Sequence, residues 1–458
     1  MKIIIVGAGI AGLSTYLHLR KHLSSLHTIT IYESHRPRSK LSSSTAQTTH
    51  NLDALSASTA IVGGGLAVSP NGMRVLRDLD PELHAAVVAQ GFPVEDFVFK
   101  GANGWTLGRS KAGDGSVRGE GEQEEMCVAS SRHGLWEAIM KSVGKNVVKY
   151  RRVMSIERSE RGATVKLLDE DGHEEVDEAD LLIGADGVKS VVRTALFGEE
   201  KKFAPKYTGL SGVGGFLDTP IPPSITNPPS MVFEFGGNGF FGYTPGSPPS
   251  AHRLMWWSTF ETSQLPDTKS IDPVAVKAAL LKRHKDWKDP ILQDIINKAD
   301  VESIYPTWVL DELPHWGEKS IVLLGDAAHA LDPTTGQGAS QALEDSQTLA
   351  LLLKKVLGEE NESNTVGGEA DKIDLAIKLF YDIRAPRVRD IMERGKKLSS
   401  RKTNVGVFAE YFMYCFMWLM MKSPTFTKAI FGDINKKLYA WSALEEINRA
   451  LEKRADTA

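Results

Sequence analysis

The sequence predicts an α/β protein, α+β overall. One half is built on a parallel sheet, a second on an antiparallel sheet, and helices close the C-terminal end. Three observations predict this. The chain opens with a strand, a glycine-rich turn and a helix. A second glycine-rich turn, between Ile321 and Ser346, follows another short apolar strand. Between them, Tyr207 to Phe260 alternates apolar and small residues as antiparallel strands do.

The opening element is local and specific. Met1 to Val6 reads as a buried strand, and GAGIAG follows it, with LSTYLHLRKHL in helical periodicity after that. Gly7 makes the tight turn, Gly9 lets the backbone approach a pyrophosphate, and Gly12 lets helix and strand pack closely. Ile10 and Ala11 complete the turn. The helix N-terminus offers unpaired N–H groups and a partial positive charge to phosphates. A second β-run, TITIYE, ends at Glu33. The Rossmann-like fingerprint places a ribose-binding acid about 20 residues beyond the turn. A signal peptide does not fit this start, because no small-residue cleavage pattern follows.

The later turn reads IVLLGDAAHALDPTTGQGASQALEDS. Its apolar run stops at Gly325-Asp326. A turn through Pro333, Gly336 and Gly338 follows, and Ala339 lies in the helix start. That arrangement delivers an acidic side chain and a helix N-terminus to one small polar ligand. A third signal is LLIGADGVKSVVRTAL, with a turn at Asp186-Gly187 and a helix from Ser190. Taken alone, it is equally an ordinary strand–turn–helix junction.

Together these segments resemble the single-component FAD-dependent monooxygenases of the salicylate-hydroxylase and para-hydroxybenzoate-hydroxylase type, over roughly residues 1 to 400. Ile61 to Gly72, IVGGGLAVSPNG, looks like that family's flavin-contacting loop, with Gly64 in it, and the Pro-Asn helix start after it. Ser131 to Leu135 resembles its "R…L" segment, in which an arginine, here Arg132, lies along the ribityl and phosphate part of FAD. Leu313 to Trp316 stands where the family approaches the Gly-Asp strand.

The resemblance implies a discontinuous FAD-binding domain from 1–72, 100–195 and 300–355. It further implies an antiparallel-sheet substrate domain from 196–299 and a C-terminal helical region from 356–458. FAD contacts would come from Gly7, Gly9, Ile10, Ala11, Gly12, Glu33, Gly64, Arg132, Asp186, Asp326, Gly336, Gly338 and Ala339. Asp326 would accept hydrogen bonds from ribityl hydroxyls, with helix capping as its other role. Asp186 belongs to a motif tied to both FAD and NAD(P)H. Gly336, Gly338 and Ala339 would aim a helix N-terminus at the flavin's carbonyl edge. Pro333 matches the proline whose backbone lines the oxygen-activation pocket. Arg193 is either a phosphate contact or a surface helix arginine. His329 reads as a structural residue rather than a base.

No GxSxG nucleophile and no HExxH metal motif is present, so the reactive group is the cofactor. In the resembled family, NAD(P)H reduces FAD and the reduced flavin traps O2 as a 4a-hydroperoxide. One oxygen then hydroxylates or epoxidises an aromatic or unsaturated hydrophobic molecule. A flavin oxidase or reductase on the same fold is the alternative. A halogenase would carry WxWxIP, which this chain lacks.

The substrate side is less specific. Family members often carry an arginine early in the antiparallel sheet. Here Tyr207 to Gly215 reads YTGLSGVGG, without one, which argues against a small anionic substrate. Phe240, Phe241, Tyr243, Met255, Trp256 and Trp257 supply apolar and π surface for a larger flat ligand. Tyr243 is the chosen polar handle.

Composition agrees with this reading. The 458 residues allow two substantial cores, and 41% hydrophobic with 24% charged residues is globular usage. A net charge of −4 argues against nucleic acid. Cys127 and Cys415 give neither a disulfide framework nor metal-ligand spacing, and a cytoplasmic location is the default. Ser34 to Thr59, Lys111 to Glu125 and Gly358 to Glu369 read as loops or insertions. Asn361-Glu362-Ser363 is a glycosylation triplet only formally. Asp272 to Lys298 has helical periodicity. Val407 to Met421 is strongly apolar and aromatic, short of the roughly 20 residues of a bilayer span. A buried helix, a dimer face, a peripheral membrane contact and a wall of the substrate entrance all fit it.

Overall fold

The computed structural model describes residues 1–36, 64–115, 124–159, 162–262, 264–267, 271–301, 304–358, 368–399, 405–423, 425 and 434–456. The expected Ser34–Thr59 loop beyond Arg36 lies outside the described residues. So do Ile61 to Gly63, residues 116–123, and 359–367 of the polar insertion.

A six-stranded sheet carries the nucleotide-binding half. Its order is Gly317–Glu318, Ile321–Leu323, Leu181–Gly184, Lys2–Val6, Thr28–Glu33, Val148–Tyr150. All neighbours run parallel except Gly317–Glu318, which turns back on Ile321–Leu323. Ile3, Ile4 and Ile5 have no exposed surface. Helices cover both faces of such a sheet, so a central strand can be apolar without alternation. Helix Ile10–His22 packs on helices Gly338–Gly358 and Arg132–Val143.

The second half is a seven-stranded sheet in the order Tyr305–Val309, Lys206–Asp218, Arg253–Glu261, Gly239–Pro245, Ser230–Gly236, Asp96–Gly101, Thr106–Lys111. It is antiparallel except where Ser230–Gly236 pairs parallel with Asp96–Gly101. The expected boundaries are therefore corrected at three strands. Thr106–Lys111 and Tyr305–Val309 belong to this sheet, not to the parallel half, as does Asp96–Gly101, of which only residues 100 and 101 fell within the expected segments. Phe97 and Phe99 lie opposite Met231 and Phe233, and burying those pairs outweighs nearness in sequence.

The Asp272–Lys298 stretch is two helices, Pro273–His284 and Pro290–Lys298. Asp272 and Asp289 cap them and proline stands in each first turn. Within the expected Lys111–Glu125 loop, Ala112 to Asp114 and Glu125 are buried, while Lys111 is exposed. Asp114 meets Arg74 at 3.1 Å, and Glu125 meets His84 at 3.0 Å.

The C-terminal region is fastened by a buried ion cluster. Helix Glu369–Ser399 lies along helix Gly338–Gly358. Arg384, fully buried, donates from Nε to Asp345 (2.8 Å) and from Nη2 to Gln341 Oε1 (2.7 Å), and its Nη1 reaches Glu344. Arg387 donates to both Glu344 oxygens at 2.7 Å. Both guanidinium groups lie over the Trp441 ring, at 4.7 and 4.8 Å. Burial pushes the Glu344 and Asp345 carboxyls up. Arg387 and Arg384 at Glu344, and His329 and Arg384 at Asp345, outweigh it and hold both below the ordinary carboxylate value.

The sign of the pH effect follows. Because these folded pKa values are depressed, their stabilisation is complete above the unfolded value of about 4 and is lost as pH falls through the folded value. Arg384→Ala should cost about 3–5 kcal/mol in urea unfolding at pH 7, because it strips a buried partner from two carboxylates. The gap between variant and wild type should narrow as the unfolding series is carried below pH ~4; a gap independent of pH would contradict the cluster's role.

Candidate active site

The three glycine motifs converge at the C-terminal ends of neighbouring parallel strands. Gly7 follows Lys2–Val6, Asp186 follows Leu181–Gly184, and Asp326 follows Ile321–Leu323. Ligands of open parallel sheets bind at such ends.

The first turn is tightly built. Gly7 sits at φ +102, and a Cβ there would come within 2.4 Å of the Ala185 carbonyl. A Cβ on Gly12 would meet the Gly7 carbonyl at 1.9 Å, whereas one on Gly9 would meet no protein atom within 4 Å. Gly12 is thus spent on packing, and Gly9 opens onto free space at the N-cap of Ile10–His22. Ile10 is buried and Ala11 is half-buried in the first turn of that helix. Glu33 Oε2 accepts the Ala8 N–H at 2.8 Å, tying the turn to the next strand end. Burial pushes the Glu33 carboxyl up, but hydrogen bonds from His35, Ala8 and Ser34 leave it below its ordinary value. The Trp136 indole donates to the Ala8 carbonyl at 2.8 Å. Arg132, exposed four residues earlier on the same helix, donates its backbone N–H to the Gly64 carbonyl at 2.9 Å. A Cβ on Gly64 would also meet open space.

The Gly-Asp turn is held from behind. Gly325 sits at φ +55, and a Cβ there would approach Ala11 Cβ at 3.2 Å. Asp345 Oδ2 accepts the Gly325 N–H at 2.9 Å and pairs with His329 Nε2 at 2.6 Å. His329 is structural, as expected. Gly325, not Asp326, occupies the N-cap of Asp326–His329, and the Asp326 side chain makes no cap bond. Its carboxylate stands exposed instead. Pro333 is exposed at the start of the Pro333–Thr335 turn, which Gly336 closes at φ +61. A Cβ on Gly336 or Gly338 would meet nothing within 4 Å, and Ala339 is half-buried just beyond. Gln337 donates to Ser69 Oγ at 3.0 Å, and Ser69 N–H donates to Ser340 Oγ at 3.0 Å. The Pro-Asn helix Pro70–Leu79 is thereby stitched to the Gly336–Gly338 turn.

Asp186 caps the helix Val191–Phe197, accepting from Val191 N–H (2.7 Å) and Val192 N–H (3.2 Å). Its Oδ1 is buried without a protein partner among the described residues, and burial pushes this carboxyl up. Arg193 is neither of the expected alternatives. It is buried and donates to the carbonyls of Phe203, Ala327 and Val188, at 3.0, 3.0 and 2.6 Å. It clamps the Asp186-Gly187 turn to the Gly-Asp turn.

The seven-stranded sheet presents two different faces. The face turned to the flavin loop carries Met255 and Trp257 with half-buried Phe97, Phe216 and Phe233. Gly65 stands against Met255 Sδ, where a Cβ would come within 1.8 Å. Phe233 meets Phe97, Phe99, Phe240 and Trp257 with ring centres 5.6–6.1 Å apart. Phe241, Tyr243 and Trp256 face the helices behind. Tyr243 is therefore corrected as a substrate handle. It is fully buried and donates to Asp289 at 2.8 Å, with Lys100 Nζ at 3.2 Å. Beside them, burial and the neighbouring Asp289 push the Glu234 carboxyl well above the ordinary carboxylate range. Strand alternation is the cause: Tyr243 pairs with Trp256, one residue out of phase with Trp257.

A cavity of about 320 Å³ lies at the Thr208–Gly209 bulge, between Val309, Asp332 and Lys396. A Cβ on Gly209 would meet nothing within 4 Å.

The fold and the site define a protein that binds a flavin dinucleotide. Open cradles at Gly9, Gly64, Gly336 and Gly338, an exposed Asp326 and an orphan Asp186 oxygen all suit FAD. A family model for the FAD binding domain matches residues 1–366. The chain belongs to that family, that of the single-component FAD-dependent monooxygenases, and FAD is its cofactor. It is similar to the chloroplastic zeaxanthin epoxidase of Nicotiana plumbaginifolia, 33% identical over 51% of this chain and 34% of that protein's length. The chain thus spans about a third of the zeaxanthin epoxidases it matches. It is 27% identical to 3-amino-4-hydroxybenzoate 2-monooxygenase of Streptomyces cremeus, over 74% of this chain and 77% of that one. Its fold is that of Klebsiella pneumoniae HpxO in complex with FAD and uric acid. There the TM-score is 0.71 at 20% identity, covering 93% of this chain and 95% of that one.

Two substitutions separate fold from site. Gly9→Val should leave a folded but colourless protein, whereas Gly12→Val should destabilise the chain itself. Flavin absorbance and urea unfolding read the two effects, and a yellow Gly9→Val protein would refute the pyrophosphate role. Tyr243→Phe should cost about 1–3 kcal/mol of stability, by leaving buried partners unmet, with kcat/KM nearly unchanged. A large fall in kcat/KM at full stability would restore the substrate-handle role.

Proposed function

We propose that this chain is an NAD(P)H-using monooxygenase that inserts one atom of O2 into a hydrophobic aromatic or unsaturated small molecule, by hydroxylation or epoxidation. The observation that carries this is the aromatic face of the seven-stranded sheet. Its centre, from Phe97 through Phe233 to Trp257, bears no charged side chain among the described residues. Such a surface excludes water and orients a flat apolar ligand by stacking. Reduced FAD supplies the oxygen-activating chemistry when bound.

The chain's own residues do the holding. The N-terminus of Ile10–His22 would take the pyrophosphate at Gly9, Glu33 and Arg132 would flank the nucleotide arm, and Asp326 would accept from ribityl hydroxyls. The Gly336–Ala339 helix start would offer its positive end to the bound flavin, where it would favour negative charge by roughly 0.3–1 kcal/mol. The backbone at Pro333 would border the oxygen-activation pocket. The free Asp186 oxygen is offered to a nucleotide hydroxyl, of FAD or of NAD(P)H.

A reducing, cytoplasmic setting suits the cysteines, since Cys127 is buried and Cys415 is an exposed free thiol. The exposed apolar side of Val407–Lys422 is read as a contact surface rather than part of the core.

The purified protein should show flavin absorption, and a hydrophobic phenol, indole or polyene should stimulate NADPH oxidation in air. Mass spectrometry should find a product heavier by one oxygen. Peroxide release without an oxygenated product, across all three substrate types, would favour an oxidase.

A further inference from the structure

The helix Val407–Lys422 is apolar on both sides. Its inner side carries Tyr414 and Met417, packed with Leu107, Phe99 and Phe235. Tyr414 is fully buried; its hydroxyl accepts the Ala102 N–H at 3.0 Å and lies 2.6 Å from the Phe235 carbonyl. The helix is therefore fixed to the body. Its outer side exposes Phe408 (95%), Phe412 (73%), Val407 (67%), Trp418 (49%) and Leu419 (49%). Nearby, Trp105 (53% exposed) stands edge-on to Tyr411 with ring centres 5.7 Å apart. Five large apolar side chains along one exposed helix side mark an interaction surface.

Charge selects the partner. From Gly395 to Gly432 the sequence holds six lysine and arginine residues, Lys422 among them, and one acidic residue, Glu410. Glu410 is turned inward to the Tyr414 hydroxyl and to Gly237. The outer side thus presents aromatic and aliphatic groups without an exposed acid on the helix, Lys422 lies over the Trp418 ring at its end, and the flanking sequence is basic. Its 16 residues make about 24 Å of helix, and no helix among the described residues is long and apolar enough to cross a membrane. An aromatic, apolar helix face within a basic stretch of sequence fits the headgroup boundary of an anionic bilayer.

We propose that the Val407–Lys422 helix docks the protein flat on an anionic lipid bilayer, from which a lipophilic substrate reaches the aromatic face. Phe99 and Phe235 pack against the inner side of this helix and meet Phe233 and Phe240 of that face, so the docking helix is seated directly on the apolar sheet. The delivery step rests on the hydrophobic-substrate reading above, and the docking step does not.

The test is flotation of the FAD-loaded full-length protein with phosphatidylcholine vesicles, with and without phosphatidylserine. The protein should float with the anionic vesicles on the order of tenfold more than with neutral ones. Trp418 emission should shift to the blue on binding. Phe408→Ser with Phe412→Ser should cut flotation by on the order of tenfold, with flavin absorbance and melting temperature unchanged. A yellow wild type that stays with the soluble fraction would overturn docking, as would a double variant that floats like the wild type. A dimer in sedimentation that the double variant breaks, with no flotation, would assign the face to a second copy. A protein that floats but oxygenates no vesicle-dissolved polyene or indole would retain docking and overturn delivery.

Discussion

The buried guanidinium of Arg384 is the contact on which the geometry of the site depends. It fixes Asp345 through one oxygen, and Asp345 uses the other to hold the Gly325 N–H and His329. The backbone that presents Asp326 is therefore positioned from the C-terminal helix, through two charged side chains with no exposed surface. Such a pair costs desolvation and returns it only when every donor and acceptor is matched. Here the matching is nearly complete, with Glu344 shared between Arg384, Arg387 and Asn71. Arg384 lies beyond the 1–366 span of the FAD-binding-domain match, so the C-terminal helices help set the Gly-Asp turn.

Much of the nucleotide half was legible in the sequence because its determinants are local. GAGIAG, Glu33, the Asp186-Gly187 turn and the Gly325-Asp326 turn each combine a strand end with glycines whose spacing allows few backbones. Contacts between such segments were not legible. Nothing near Ala8 points to Trp136, and nothing near Glu344 points to a guanidinium some 40 residues on. The one available signal was an acid pair inside the small-residue run GASQALEDS, which demands a buried cation without naming it. Arg193 failed for the same reason, since its three carbonyl partners lie in separate segments.

The substrate half was legible as a sheet but not as faces. Phe240, Met255 and Trp257 were rightly grouped as one surface, yet Phe241, Tyr243 and Trp256 lie on the other. Neighbouring residues of a strand point oppositely, and only the pairing register says which set meets the flavin. The register also places a polar group behind the sheet, where Lys100 and Asp289 join Tyr243 and pin the Pro290–Lys298 helix to the strands. The aromatic side is thereby left free of charge at its centre.

The parallel pairing of Ser230–Gly236 with Asp96–Gly101 interlaces the two halves. The seven-stranded sheet is woven from pieces that precede, follow and bracket strands of the nucleotide half. The ligand-facing layer is thus not a cassette. Exchanging it with that of a relative would need three coordinated splices, around 96–111, 206–261 and 305–309, and a single crossover would leave unpaired strand edges. Diversification of such a scaffold proceeds by changing side chains on an intact weave rather than by shuffling lobes.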